Sequence, residues 1–323
     1  MIRSLNRLPY RTFLVLLACS LLIVACGGGE SEPTTEPVED SEVAQPTIES
    51  STESEDSFEP QQFSINREFW HSGFRVELND ASYYSEENAL TDAVRFFVSI
   101  TASFENNGDD QSFFDAAMAI VWNGNSAPHL LASDLPMVPS GLASKGELLF
   151  EVDENFEATS AQLIFGSADE NRAQVPLGPA GGDLITLEPT EPPIDGSISM
   201  ELIDLTFYSA ELRADRPTSF TEIEAGKLAL TLHFDATSRN QGNWNILPQD
   251  FALILPNGSA VAADGTQLGS LPGSESGTVT SDLYVRFLVD NPPSGEYTLR
   301  FTPGSWFIGS DEVTEGSFDF FIE

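Results

Sequence analysis

Cysteine, histidine and the basic residues are all scarce in this sequence, and each scarcity removes a class of chemistry. Two cysteines occur in 323 residues, Cys19 inside the opening apolar run and Cys26 at its end. Once that run is cleaved and Cys26 acylated, no thiol, disulfide or thiolate-ligated metal remains to the mature chain. The three histidines, 71, 129 and 233, share no common spacing. His233 stands between Leu232 and Phe234 on an alternating strand and is expected to face solvent. His71, at a domain edge, and His129, in the loop "SAPHLLAS", read as incidental surface or loop positions. No H-E-x-x-H, G-x-S-x-G or Ser-x-x-Lys arrangement is present. The pairs Asp109-Asp110, Asp153-Glu154 and Asp311-Glu312 are what 51 acids produce by composition alone, and they define no general acid and base. The chain is therefore expected not to be an enzyme.

Positive charge is equally sparse, with 14 Lys and Arg against 51 Asp and Glu and a formal net charge of −37. That balance excludes nucleic acid and anionic lipid surfaces as electrostatic partners. It suits solvation, cationic partners or divalent ions. No convincing helical periodicity occurs; "SEENALTDA" is long enough for a turn or two.

What is present begins with the leader. Arg3, Arg7 and Arg11 precede an unbroken apolar or small stretch from Phe13 to Ala25. As a helix it rises about 20 Å, too short for a bilayer core of about 30 Å. A charged start, short apolar core and small residue before the break describe a secretory signal peptide over 1–25. Ile23-Val24-Ala25-Cys26 resembles the bacterial lipobox, which implies cleavage before Cys26 and a diacylglycerol on its sulfur. Such acylation anchors stably, each buried methylene contributing roughly 0.8 kcal/mol. The expected location is the cell envelope, as a membrane-anchored lipoprotein facing outside the cytoplasm, at the cell surface or in the periplasm. Residues 26–62 carry eleven acids, many Ser, Thr and Pro, and no Lys or Arg. They cannot bury enough apolar surface to offset ordering entropy, and are expected to form a disordered tether of roughly 30–35 Å r.m.s..

The remainder divides at "LEPTEPPIDGS". Two domains are expected, over 63–187 and 197–323, joined by a Pro-rich linker at 188–196. An internal repeat supports the division. "VELNDASYYS" (76–85) matches "MELIDLTFYS" (200–209) at five of ten positions. The alternating Val98, Ile100, Ala102 and Phe104 correspond to Leu228, Leu230, Leu232 and Phe234. "AAMAIVWNG" (116–124) corresponds to "DFALILPNG" (250–258), where Asn-Gly signals a hairpin because both residues tolerate positive φ. "GELLFEVDE" (146–154) parallels "SDLYVRFLVDN" (281–291). "SAQLIF" with "RAQVPL", and "YTLRF" with "FDFFIE", supply a last strand pair in each half. About seven short strands per half, with period-2 alternation and polar turns, predict an all-β chain of two tandem antiparallel Ig-like β-sandwich domains. The Cys…Trp…Cys bridge is absent.

The order of strands and turns, through "SITASFENNGDD" and "VPSGLASKGELLFEV", resembles the telokin-like, Ig-like extracellular domains of bacterial lipoproteins. Pro139, Gly146, Phe150 and Val152 fit the family's pattern, and Pro272, Gly273, Phe287 and Val289 fit it with different spacing. The likeness covers most of 70–178 and follows more loosely in the second half. It implies a surface interaction module and supplies no catalytic residues.

Two binding chemistries remain. Glu105, Asn107, Asp109 and Asp110 in "ENNGDD" offer the oxygens a calcium ion wants around a glycine. Their counterpart "DATSRNQGN" carries Arg239, which opposes a cation, so a calcium site is confined to the first domain. Tyr83, Tyr84, Trp122, Phe207, Tyr208, Trp244 and Trp306 are candidate rings for stacking on sugars or anchoring a protein. Alternation places one member of Tyr83-Tyr84 and of Phe207-Tyr208 inside. The functional expectation is a non-enzymatic lipoprotein that displays two modules for protein or surface-polymer recognition, without a cofactor. The alternative is a calcium- or carbohydrate-binding module of a wall or adhesion system.

Overall fold

The computed structural model describes residues 58–87, 91, 93–217, 219–239, 241–268, 270–273, 277–291, 293–304 and 315–323. The leader, Cys26, the tether to residue 57, Trp306, Asp311-Glu312 and most of "ENALTD" lie outside them. Among the described residues no helix is long and apolar enough to cross a membrane. Asp56–Glu323 is one compact, all-β unit of antiparallel sheets without a closed barrel.

Eight strands build the first sandwich: β1 (Gln61–His71), β2 (Phe74–Glu87), β3 (Val94–Asn106), β4 (Met118–Trp122), β5 (Asn125–Pro128), β6 (Ala143–Val152), β7 (Gln162–Phe165) and β8 (Ala173–Pro176). They pair in the orders β1-β2-β3-β6 and β5-β4-β7-β8. The second sandwich runs through β9 (Gly196–Ser199), β10 (Ile203–Arg213), β11 (Asp215–Arg216), β12 (Thr221–Glu222), β13 (Lys227–Ser238), β14 (Trp244–Asn245), β15 (Phe251–Ile254), β16 (Ala260–Ala262), β17 (Gly265–Gln267), β18 (Ser270–Leu271), β19 (Thr278–Asp290), β20 (Gly295–Phe301) and β21 (Gly316–Ile322). Its main sheets are β17-β19-β13-β10-β9 and β16-β15-β20-β21. Substituting β9, β10, β13 and β19 for β1, β2, β3 and β6, and β16, β15, β20 and β21 for β5, β4, β7 and β8, turns one pair of orders into the other. The sequence repeat is thus a repeat of topology, with β17 added at one edge and the small ribbons β11-β12 and β14-β18 added outside.

Alternation explains the layers. In β13 the burial pattern puts Leu228, Leu230, Leu232 and Phe234 inward, with Thr231 and His233 outward. Each sandwich has its own core. In place of a disulfide, the first is pinned by Phe114 on the crossing from β3 to β4. Its ring lies 5.3 to 6.5 Å from those of Phe69, Phe74, Phe104 and Phe165. All five rings are fully buried, each worth about 1.5–3 kcal/mol of transfer free energy.

The two Asn-Gly turns differ. Asn123 (φ 45°) and Gly124 (φ 84°) both take positive φ, and Trp122 pairs with Asn125 in a two-residue hairpin. In the second copy Pro256 precedes the dipeptide and fixes its own φ near −65°. Only Gly258 is positive there, and the Leu255 amide donates to the Ser259 carbonyl at 2.8 Å across a loop one residue longer.

The Pro-rich stretch is laid down between strands. Thr190 exchanges backbone hydrogen bonds with Leu212 at 3.0 and 2.8 Å, and Ile194 is buried in the second core. The sandwiches also touch directly through the loop 166–172. The Asn171 side chain donates to the carbonyls of Lys227 (2.8 Å) and Ala214 (3.3 Å) and accepts from the Gly226 amide (3.2 Å). Asn171→Ala strands these groups at a buried position and is expected to lower stability by about 1–3 kcal/mol. Urea unfolding of the full chain checks this; an unchanged midpoint would show that the loop contact contributes nothing.

Candidate functional site

The ribbon β11-β12 comes from extra sequence between β10 and β13 (214–226, against 88–93 between β2 and β3), and it leans on the first sandwich. Its tip carries Phe220, which packs against the first core with its ring 5.8 Å from that of Phe74. Gly108 sits beneath it. A Cβ there would come within 2.7 Å of both Phe220 Cε1 and the Pro217 carbonyl oxygen, so only glycine lets the 106–110 loop approach so closely.

The same ribbon presents two carboxylates on paired residues, Asp215 and Glu222. They meet the tight turn Ser72-Gly73 between β1 and β2, whose φ values of 49° and 79° aim both amides outward. Ser72 N–H donates to Glu222 Oε1 and Gly73 N–H to Asp215 Oδ2, each at 2.5 Å. Arg213 braces Asp215 from behind through Nε (2.6 Å) and Nη2 (3.2 Å), and itself leans on Glu211 at 3.0 Å. Burial works against the charge on Arg213, but the hydrogen bonds and fields of Asp215 and Glu211 outweigh it and hold the guanidinium protonated. His71, expected at the surface, is instead only 3% exposed, with Nδ1 3.1 Å from Glu222 Oε1. The edge of its domain is covered by the ribbon, which the repeat pattern did not reveal.

Burial sets the state of that pair. It lowers the His71 pKa to about 4 despite the fields of Asp215 and Glu170, and it raises that of Glu222 to about 8 against the Ser72 amide. Between those values the pair is neutral imidazole beside carboxylic acid, holding one proton, rather than an ion pair.

This weld positions a pocket. Register places Glu211 (β10), Thr231 (β13), Arg286 (β19) and Gly265 (β17) in one row on the outer face of the larger second sheet. Ser209, His233, Tyr284 and Gln267 form the next row. Tyr208, next to the inward Phe207, faces outward and is 46% exposed; the register shift between Phe207 and Ser209 falls at this residue. The rings of Tyr208, His233 and Tyr284 then follow one another at 6.5 and 6.0 Å between centroids. Beside them is a cavity of ≈ 170 Å³ lined by residues of both sandwiches, with Asn107 and Asp109 on one side and Arg213, Tyr284 and Arg286 on the other. Gly265 seats Arg286: a Cβ there would come 2.3 Å from Nη2.

The other expected site residues do not gather here. Tyr83 (3% exposed), Trp122 (4%) and Phe207 are core residues, which corrects their reading as binding rings. Tyr83 Oη donates to the Asp153 carbonyl and Trp122 Nε1 to Asp153 Oδ1, so their polar tips are used internally. Tyr84 lies half-buried against Phe97, at 5.7 Å, on the outer face of the first sandwich. Trp244 stands in β14, with its side chain outside the described set. The calcium candidates are divided among other contacts: Glu105 is engaged by Arg75 at 3.1 Å, Asn107 and Asp109 line the cavity against the second sandwich, and Asp109 and Asp110 are both exposed. The buried Asn106 organises the loop instead, donating to the Asp110 and Val138 carbonyls at 2.8 Å. Among the described residues no three His, Cys, Asp or Glu are grouped to hold a metal. The missed residues, Arg213, Asp215, Glu222 and Arg286, were signalled only by the extra length of 214–226 and by an outward arginine inside "LYVRFLV".

Fold and site together define a two-sandwich all-β body with a composite surface pocket. No family model and no curated protein matches the chain. A functionally unknown protein of Listeria monocytogenes EGD-e is 15% identical, with 37% of this chain and 88% of that one covered and a TM-score of 0.30. A conserved hypothetical protein of Bacillus anthracis is 11% identical over 36% and 98% of the two chains, with a TM-score of 0.27. A conserved domain protein of Bacillus anthracis is 10% identical over 81% and 92%, with a TM-score of 0.26. Likenesses this weak bear on neither fold nor function.

The weld has a pH signature. The unfolded state takes up more protons at His71 between pH 6.5 and about 4, so that group makes stability fall on acidification. The folded state holds more protons at Glu222 between 4.5 and about 8, so that group makes stability fall as pH rises. The two oppose each other from 4.5 to 6.5, and Glu222 acts alone from 6.5 to about 8. Stability is expected to decline across that upper window in the parent and to be flat there in Glu222→Gln. Denaturation midpoints across the window measure it, and a parent curve parallel to that of the variant would refute the buried acid.

Proposed function

We propose that this protein is a non-enzymatic, membrane-anchored lipoprotein, held by an acylated Cys26 outside the cytoplasm, that recognises a protein or a surface polymer through one face of its second sandwich. One observation carries the reading: three outward rings on adjacent strands lie beside a polar cavity whose wall needs both sandwiches. Rings held on a sheet present area with little entropy to lose, and the cavity supplies directional hydrogen bonds. The weld makes the two modules one body. Recognition then resides in a single composite site rather than in two independent ones on a hinge. Between the two chemistries open from the sequence, the ring row favours a carbohydrate over calcium.

Two measurements test this. In the full chain, Cys26→Ser is expected to move the protein from the membrane to the soluble fraction. Immobilised full-length protein is expected to retain envelope material, and Tyr208→Ala with Tyr284→Ala to reduce that retention about tenfold or more, as loss of two anchoring rings implies. Equal retention by parent and double variant would remove the face from the proposal.

A further inference from the structure

The pocket's chemistry narrows what it takes. Of the fourteen Lys and Arg in the chain, Arg213 and Arg286 line it, facing Glu211, Asp215 and Asp109. Two guanidiniums against three carboxylates leave no field for an anion, and the guanidiniums oppose a cation. The walls mix polar groups with Pro217, Ala229 and the Tyr284 ring, so a ligand that offers both kinds of surface suits them better than a purely aliphatic side chain. Among the described residues, Arg286 Nε is buried without a hydrogen-bond partner. Its nearest acid, Asp264 Oδ2, is 3.6 Å away and already accepts from Arg216 at 2.9 Å. That nitrogen is covered, so an incoming acceptor oxygen would meet the part of the Arg286 guanidinium that lines the cavity. Asp109 and Glu211 ask for donors. A group that both donates and accepts, carries no charge and offers a face of C–H bonds to Tyr284 and His233 is a ring polyol.

From this we infer that the junction pocket binds a neutral hexopyranose, one ring of a glycan. A hydroxyl oxygen accepts from the Arg286 guanidinium, other hydroxyls donate to Glu211 or Asp109, and the sugar's apolar face lies on Tyr284 and His233 with the next unit running toward Tyr208. The cavity, ≈ 170 Å³, is below the several hundred Å³ usual for whole small-molecule ligands, which suits a single ring with the rest of the chain outside. Because Asn107 and Asp109 belong to the first sandwich, the pocket is complete only while the weld holds. This inference rests on the recognition function proposed above and names its ligand class.

The test is saturation-transfer NMR of the full-length protein with the methyl glycosides of glucose, galactose and mannose, and with glucuronate as the anionic arm. At least one neutral glycoside is expected to bind with roughly millimolar affinity. Binding should fall about tenfold in Tyr284→Ala and in Arg286→Lys, each removing one stacked ring or one directed donor. Tyr84→Ala, on the corresponding face of the first sandwich, should leave it unchanged. Transfer to glucuronate alone, or transfer unchanged in both pocket variants, overturns the assignment. If no glycoside binds while envelope retention persists and is abolished by protease treatment of the envelope, the ligand is a protein; the glycan inference fails and the recognition function stands. Loss of both sinks both.

Discussion

Two carboxyl groups gripping two backbone amides fix one sandwich against the other. The Ser72-Gly73 turn is a short loop with its donors turned outward, and Glu222 and Asp215 accept both of them from a ribbon in the longer β10–β13 connection of the second copy. An apolar contact alone would leave the sandwiches free to slide, since hydrophobic burial is non-directional. Directed, buried hydrogen bonds admit one arrangement. Their cost is that every member must be compensated: Asp215 by Arg213, and Glu222 by its own proton and His71. Phe220, packed on the first core from the same ribbon, contributes the non-directional part of the stabilisation.

The duplicated halves share a topology and differ in what they leave open. On the first outer face, Phe97 is covered by Tyr84 at 5.7 Å and by the Arg95 guanidinium at 5.1 Å, and Arg95 is itself held by Glu151. That cluster is closed upon itself. On the second, the place beside the outward tyrosine belongs to His233, and Tyr208 stays exposed where the register shifts. The repeat supplies two scaffolds, and side chains at a few outward positions make their outer faces differ. Arg213 ties the second face to the weld, because it braces Asp215 on one side and lines the pocket on the other.

The fold was legible because sandwich strands advertise themselves locally. Alternation in "LALTLHF" and "VSITASF" stated which residues face inward, and the matched segments at 76–85 and 200–209 announced the repeat before any pairing was known. The aromatic readings divided along the same line. Period-2 logic puts one member of each pair, Tyr83-Tyr84 and Phe207-Tyr208, inside without saying which, and leaves Trp122 beside its turn open; its burial depends on Asp153 and Phe156, distant in sequence. The site itself was hardly legible. It is assembled from two copies of the repeat, and no local pattern says that a turn at 72–73 will meet a ribbon at 215–222. His71 misled for that reason: at the end of a strand it looks peripheral, and only the tertiary contact buries it.

A neutral ligand also fits the field around the site. At physiological ionic strength the Debye length is about 8 Å, so the −37 of the whole chain is largely screened beyond the first layers of water. On the proposed reading, discrimination against anions would be made at contact, by Glu211, Asp215 and Asp109, rather than by repulsion at a distance. An uncharged ligand gains no electrostatic steering, and a single-ring pocket gives a weak, short-lived complex. Such a site becomes useful when many copies face one polymer. A lipid anchor with an acidic tether would confine the chains to a surface and still let each reach outward. Effective concentration then supplies the strength that the individual pocket lacks.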